Sequence, residues 1–215
     1  MISKKLIIVG AGGHGKVIAD IALNMKYSDI EFLDDNTAII SCMGFPVSGK
    51  VSEANKNLDA DFIVAIGDSS IREKVQRNLE EKNFEIKTLK HPKAVIGNDV
   101  IIGKGSVVMA GAVINSGTVI GKGCIVNTGA TIDHDNMIGD FVHISVGAHL
   151  AGNVKIGRST WIGAGAIISN NIEVCENVLI GAGAVVIKDI VEPGTYVGVP
   201  ARKKESKSIH HIGKV

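Results

Sequence analysis

The sequence predicts a parallel β-helix of hexapeptide repeats preceded by a small Rossmann-like α/β domain. Three observations carry this reading. A branched aliphatic residue recurs at every sixth position from Ile96 to Val186 without a slip of register. Glycine follows it at Gly97, Gly103, Gly121, Gly139, Gly157, Gly163 and Gly181. Upstream, short apolar strands alternate with helical stretches, and a glycine-rich turn directly follows the first strand.

The register runs through Ile96, Ile102, Val108, Ile114, Ile120, Val126, Ile132 and Ile138. It continues at Ile144, Leu150, Ile156, Ile162, Ile168, Val174, Ile180 and Val186. At 45% hydrophobic composition, sixteen consecutive hits arise by chance roughly a few times in a million, so the repeat is structural. A period of six cannot keep one side of an α-helix buried. It suits a triangular coil of about eighteen residues, each hexad giving one flat face and one turn, stacked at the ~4.8 Å spacing of sheet neighbours. The aliphatic positions then stack inside, and each coil covers the apolar edge of the one below. The fifth position is mostly small, as at Ser106, Ala112, Cys124, Ala130, Ala148 and Ala166, which suits tight corners.

The expected organisation is residues 1–90 as the α/β domain, 91–201 as the β-helix and 202–215 as a tail. A length of 215 residues and a net charge of +1 give no reason to expect nucleic acid or an acidic membrane surface as partner. No apolar run approaches membrane-spanning length, and Met1–Lys5 does not read as a secretory leader. Cys42, Cys124 and Cys175 are odd in number and lack metal-ligand spacing. They read as reduced thiols of a cytoplasmic protein, and no metal is expected.

In the first domain, strands are expected over Lys5–Val9, Ile30–Leu33, Asp61–Ile66 and Glu85–Leu89, with helices over Lys16–Met25 and Ser70–Lys82. Gly10-Ala11-Gly12-Gly13-His14-Gly15 satisfies G-x-G-x-x-G between strand and helix, and Asp34-Asp35 follow about twenty residues on. Backbone N–H groups at such a helix start hold a diphosphate. About ninety residues make one mononucleotide half, so a nucleotide-linked sugar suits the site better than a dinucleotide. A tight turn without ligand is the alternative. His91-Pro92 marks the junction with the prism.

Strong repeats show function where they depart from their own rule. Thr131-Ile132-Asp133-His134-Asp135-Asn136 puts Asp133 in the glycine slot and Asn136 in the small slot while the register holds. His143 and His149 follow, and counting faces places His134 and His143 on adjacent faces of one coil. A near-neutral imidazole is the natural general base for an amine or hydroxyl nucleophile. Asp135, or else Asp133, would fix its tautomer. Gly152, eighteen residues beyond His134, would offer a backbone N–H to a developing oxyanion.

These residues resemble the hexapeptide-repeat acyltransferases that act on nucleotide-activated amino sugars. The likeness rests on Gly10–Gly15, Phe32-Leu33-Asp34-Asp35, Ala65-Ile66-Gly67, Asn127-Thr128, His134-Asp135 and His143–Ala148. It extends through Ala151–Gly157 and Val197–Ala201. The resemblance implies a left-handed prism and a homotrimer with active sites between subunits. It implies acetyl-CoA as co-substrate and direct acetyl transfer to the C4 amine of a UDP-linked 4-amino-deoxysugar. His134 is then the base and Asp135 its partner, where the bacillosamine-type enzymes carry Glu. His143, Ala164 and Ala182 contact the acyl-CoA, and Gly13, His14, Gly15, Asp34, Asp35 and Gly67 hold the sugar nucleotide. Arg202-Lys203-Lys204 meet the CoA phosphates or form a solvated tail, and His210-His211 have no specific role.

Besides a non-catalytic sugar-nucleotide binder or scaffold, two other readings remain. One is O-acetylation of a sugar such as sialic acid. The other is a zinc hydratase of the γ-carbonic-anhydrase type, with His134, His143 and His149 as ligands. The second leaves the nucleotide-type domain without a use.

Overall fold

The computed structural model describes residues 4–57 and 59–205, so His210 and His211 lie outside it. The chain runs β1 (Leu6–Val9), α1 (Gly13–Asn24), β2 (Ile30–Leu33), β3 (Ser41–Cys42), β4 (Phe45–Gly49) and a 3-10 helix (Val51–Asn57). It continues through β5 (Asp61–Val64), α2 (Ser69–Glu81) and β6 (Glu85–Ile86). The sheet order is β3-β4-β2-β1-β5-β6, parallel except for the β3–β4 hairpin. β1 is buried throughout, as a central strand covered on both faces must be. Its alternate residues divide the core. Leu6 and Ile8 pack with Ile18, Ala19 and Ala22 of α1, whereas Ile7 and Val9 pack with Leu79 of α2 and Phe84.

From Leu89 onward the chain winds as a three-faced prism of parallel two-residue strands. The first face stacks Leu89–Lys90, Val107–Val108, Ile125–Val126, His143–Ile144 and Trp161–Ile162. The second stacks Val95–Ile96 through Thr131–Ile132, His149–Leu150 and Ile167–Ile168. The third stacks Ile101–Ile102, Val119–Ile120, Met137–Ile138 and Lys155–Ile156. Pairing advances by eighteen, as at Ile125↔His143 and His143↔Trp161. From Val108 onward the second residue of each pair points inward, so the sixfold register fills the core to Val186. The first residue points outward.

That alternation explains how the two parts join. On the first face the outward residues Leu89, Val107 and Ile125 are buried in the same cluster as α1. α1 is therefore sandwiched between its own sheet and the prism. Its small residues Gly15, Ala19 and Ala22 are buried and permit the close approach. A Cβ on Gly15 would run into the Gly10 carbonyl oxygen.

Two expectations are corrected here. The strand read over Glu85–Leu89 is two: Glu85–Ile86 closes the α/β sheet, and Leu89–Lys90 is the first strand of the prism. The prism thus starts ahead of residue 91, and counting back by six from Ile96 lands on Lys90, whose charge hid the first coil. The hairpin β3–β4 was also missed. The three cysteines are free thiols, and burial pushes Cys124 up to about 12. No helix among the described residues is long and apolar enough to cross a membrane.

Candidate active site

His134 stands on the corner where the second and third faces meet, between Thr131–Ile132 and Met137–Ile138. Asn136 builds that corner from inside. It is fully buried, and its Nδ2 donates to the carbonyls of Asp133 (2.7 Å), Ala151 (3.0 Å) and His134 (3.2 Å). Its Oδ1 accepts from Val154 N–H at 3.1 Å. A polar residue in the small slot is thus a brace between coils, its hydrogen-bonding capacity met by backbone.

Asp133 Oδ1 accepts from His134 N–H (2.9 Å) and from Asn115 Nδ2 (2.8 Å), so it is committed to the turn. Asp135 Oδ2 lies 2.8 Å from His134 Nδ1. Of the two aspartates, Asp135 is therefore the ring's partner. With Nδ1–H donating to a carboxylate, Nε2 carries the free lone pair. The pair holds the His134 pKa above its ordinary value, through the Asp135 hydrogen bond first and the Asp133 charge next. The ring lies against Gly152, where a Cβ would stand 2.6 Å from Nε2. The Gly152 N–H donates to no other backbone carbonyl among the described residues.

His143 is elsewhere. It occupies an outward position of the first face, the face opposite the corner that bears His134. The expectation of adjacent faces is corrected: the third face, at Met137–Ile138, intervenes. His143 is buried, stacked on Trp161 with ring centroids 4.8 Å apart, and Trp161 Nε1 donates to Ser145 Oγ at 2.7 Å. Asn127 Oδ1 accepts from Thr128 N–H, which leaves Asn127 Nδ2 as donor toward His143 Nε2 at 3.2 Å. The proton of a neutral His143 is then on Nδ1, which is buried without a partner. Burial, then the charges of Arg72 and His14, bring the His143 pKa down to about 3. His14 is similar: its Nε2 is buried without a partner, and burial followed by Arg72 lowers it to about 4. Both rings are neutral donors or acceptors with unfilled positions at the junction of the two domains.

The remaining predicted residues divide. Ala164 and Ala182 are exposed on successive coils at the corner beside the first face, where Gly183 N–H reaches the Ala164 carbonyl at 2.8 Å. Gly13, His14 and Gly15 open α1, whose N-cap Gly12 has no side-chain cap and whose first turn has no acidic residue. The free N–H groups there suit an anion. Asp34 braces that loop: Oδ2 accepts from Ala11 N–H at 2.7 Å and Oδ1 from Asn36 N–H at 2.8 Å. Asp35 accepts from Val51 N–H at 3.1 Å. Beyond Asp34 lies a cleft of about 230 Å³ lined by Ile39, Val47, Ser48 and Lys50. Gly67 has its carbonyl taken by Arg72.

Other residues read from sequence lie outside these groups. His149 pairs with Thr131 Oγ1 at 2.8 Å on the second face. His91 Nδ1 accepts from Lys93 N–H in a turn, and Lys203 pairs with Glu192. Among the described residues no three His, Cys, Asp or Glu side chains gather as a metal site. Sequence reasoning missed the roles of Trp161, Arg72 and Asn136. Asn136 left a signal as the polar residue in a small slot and Trp161 as the residue eighteen beyond His143, whereas Arg72 left none.

Residues 5–79 match the family described as PglD N-terminal domain, and residues 153–188 match bacterial transferase hexapeptide repeats. A curated relative, UDP-N-acetylbacillosamine N-acetyltransferase of Bacillus subtilis (strain 168), is 37% identical over 116 residues. The match takes in 50% of this chain and 52% of that protein, so the chain spans about half the length of this relative. The acetyltransferase domain of PglB from Neisseria gonorrhoeae FA1090, solved with acetyl coenzyme A, superposes with a TM-score of 0.90 and 45% identity. That superposition covers 94% of this chain and 99% of the other. PerB from Caulobacter crescentus, solved with CoA and GDP-perosamine, gives a TM-score of 0.89 and 32% identity over 94% of this chain and 98% of its own.

Proposed function

The chain belongs to the hexapeptide-repeat sugar acyltransferases with a PglD-type N-terminal domain, and from that premise we propose that it acetylates a nucleotide-linked amino sugar from acetyl-CoA. The acceptor is the C4 amine of a UDP-linked 4-amino-deoxysugar. The observation that carries this reading is the free Nε2 of His134, backed through Nδ1 by Asp135 and set against Gly152. Similarity to enzymes of UDP-N-acetylbacillosamine and of perosamine supports the amine.

The neutral amine attacks the thioester carbonyl, and its nitrogen–carbon bond forms as His134 Nε2 takes the nitrogen proton. Gly152 N–H faces the oxyanion of the tetrahedral intermediate. The carbon–sulfur bond then breaks, and the imidazolium returns the proton to the CoA sulfur. Both substrates meet in one cleft, so no covalent enzyme intermediate is required.

Within one chain His134 and His143 cannot share a cleft, because the prism stands between them. The reading therefore includes a homotrimer in which His134 of one chain faces the first face and nucleotide domain of the next. His143, with Ala164 and Ala182, lines the acyl-CoA side. The α1 start, with His14, takes the diphosphate, and the cleft beyond Asp34 takes the base. The test is thiol release from acetyl-CoA against UDP-4-amino-sugars, GDP-perosamine and free sialic acid, with His134→Ala as control. Turnover with an amino sugar, lost in the variant, supports the reading. Turnover with hydroxyl acceptors alone moves the protein to O-acetylation, and turnover that survives the substitution overturns the base.

A further inference from the structure

Arg72 is a buried cation without a carboxylate. Its side chain is 1% exposed, and no acidic group pairs with it among the described residues. The nearby Asp68 is occupied as the N-cap of α2, accepting from Ile71 N–H and Ser70 Oγ. Burial lowers the Arg72 pKa to about 10, which still leaves the guanidinium charged at neutral pH. An unpaired buried charge is costly unless polar groups surround it.

Here four carbonyls do so, two from each domain. Nε donates to Gly123 O at 2.7 Å and Nη2 to Phe141 O at 2.8 Å. Nη1 donates to Ile66 O at 2.9 Å and Gly67 O at 2.7 Å. None of the four accepts a backbone N–H among the described residues. Gly123 and Phe141 occupy the left-handed corner position of successive coils, at φ 63 and φ 58. Phe141 lies two residues before His143, and Gly67 follows β5 at the edge of the nucleotide loop. One planar group thus ties the loop expected to hold the sugar nucleotide to the turn that presents His143.

We propose that Arg72 is a positioning residue that fixes the sugar-nucleotide domain in register with the acyl-transfer face, without touching either substrate. This rests on the function proposed above. The guanidinium suits the task because its donors leave in one plane in several directions; an ammonium on a flexible stem cannot span four carbonyls set on two domains. Gln76 and Glu80, further along α2, add contacts to Lys104 O and Lys122, but both are peripheral to the loop.

The test compares Arg72→Lys and Arg72→Met with Glu73→Gln, which removes only the α2 ion pairs to Arg158 and Arg77. Calorimetry with UDP alone and with CoA alone is expected to give near-parental affinities in all three. Both Arg72 variants are expected to lose kcat by roughly 10²-fold, the size of effect that a small misplacement of reactants produces, while Glu73→Gln keeps it. Unchanged kcat per folded molecule in Arg72→Met overturns the proposal. So does lost UDP affinity with kcat retained at saturation, which would make Arg72 a ligand contact. Should the parent protein acetylate none of the acceptors, the functional reading fails by itself, and hydrogen exchange decides on the clamp. Faster exchange in Arg72→Met at both Gly67–Ile71 and Gly139–His143, with the inner strands unchanged, supports it; unaltered exchange at those two segments overturns it.

Discussion

His134 Nδ1 donates to Asp135 Oδ2 at 2.8 Å across a single peptide step. The contact exists because Asp135 takes a left-handed backbone, φ 58, at the corner position that Gly117, Asn153 and Asn171 fill in neighbouring coils. Aspartate tolerates that region better than most residues. The repeat's own turn geometry therefore aims the carboxylate at the ring.

The first prediction concerns pH. The Asp135 hydrogen bond and the Asp133 charge raise the His134 pKa. In the proposed mechanism the neutral ring is the base, so activity is expected to rise with pH through that raised pKa and to be lost below it. Asp135→Asn removes the larger cause. The acid limb of kcat/KM is expected to move to lower pH, and the plateau to fall roughly tenfold or more as Nε2 loses basicity and orientation. An unmoved limb would show that some other group titrates.

Gly152 is the second. A Cβ there would stand 2.6 Å from His134 Nε2 and 2.7 Å from Cε1. The flexible ring can yield, so the prism is expected to keep its melting temperature in Gly152→Ala. The base, however, is displaced, and kcat is expected to drop by roughly 10²-fold. Parental kcat would mean that catalysis uses a different rotamer of the ring.

The third separates corner from chemistry. Asn136→Ala leaves the carbonyls of Asp133, His134 and Ala151 and the N–H of Val154 without their buried partner. Denaturant unfolding is expected to show a loss of about 1–3 kcal/mol. Activity falls with it, because the same carbonyls hold the His134 turn. Asn136→Asp keeps one acceptor but loses the donors, and is expected to be no better.

Much of this architecture is legible in the sequence. The sixfold register names the inward column from Val108 to Val186, because one aliphatic slot per hexad is a strict geometric demand. The broken hexad at Asp133–Asn136 names the corner that carries His134. Face counting for His143 fails on a point that strand alternation could have corrected: the residue before each inward aliphatic points out, and here it points out from the far face. Arg72 is beyond reach. Within a charged helix it reads as a solvated residue, and its carbonyl partners Gly123 and Phe141 are 51 and 69 residues away. Only the docking of α2 on the prism brings them together.

A fourth prediction follows from the neutral histidines. His143 and His14 are brought down to about 3 and about 4 from an ordinary value of 6.5. Between those values the unfolded chain holds protons that the folded chain does not, so stability falls as pH drops below about 6.5. Above that pH neither residue contributes a pH dependence. The unfolding free energy is expected to decline steadily from pH 6.5 to 4.5, and His143→Asn to reduce the slope by roughly one proton. NMR titration of the parent should find both rings neutral throughout that range. A His143 that titrates near 6.5 would show that its pocket is hydrated.

The shared site gives the last prediction. His134 sits on one corner of the prism and His143 on the face opposite, so no motion within a folded chain unites them. In the proposed reading each active site draws one histidine from each of two chains. His134→Ala and His143→Ala chains are each expected to be inactive alone. Unfolded together, mixed in equal amounts and refolded, they are expected to regain about a quarter of parental activity, because a quarter of the interfaces pair an intact His134 with an intact His143. If both histidines served one chain's own site, mixing would restore nothing. Recovery on mixing, alongside a trimeric mass by light scattering, would locate the chemistry between chains.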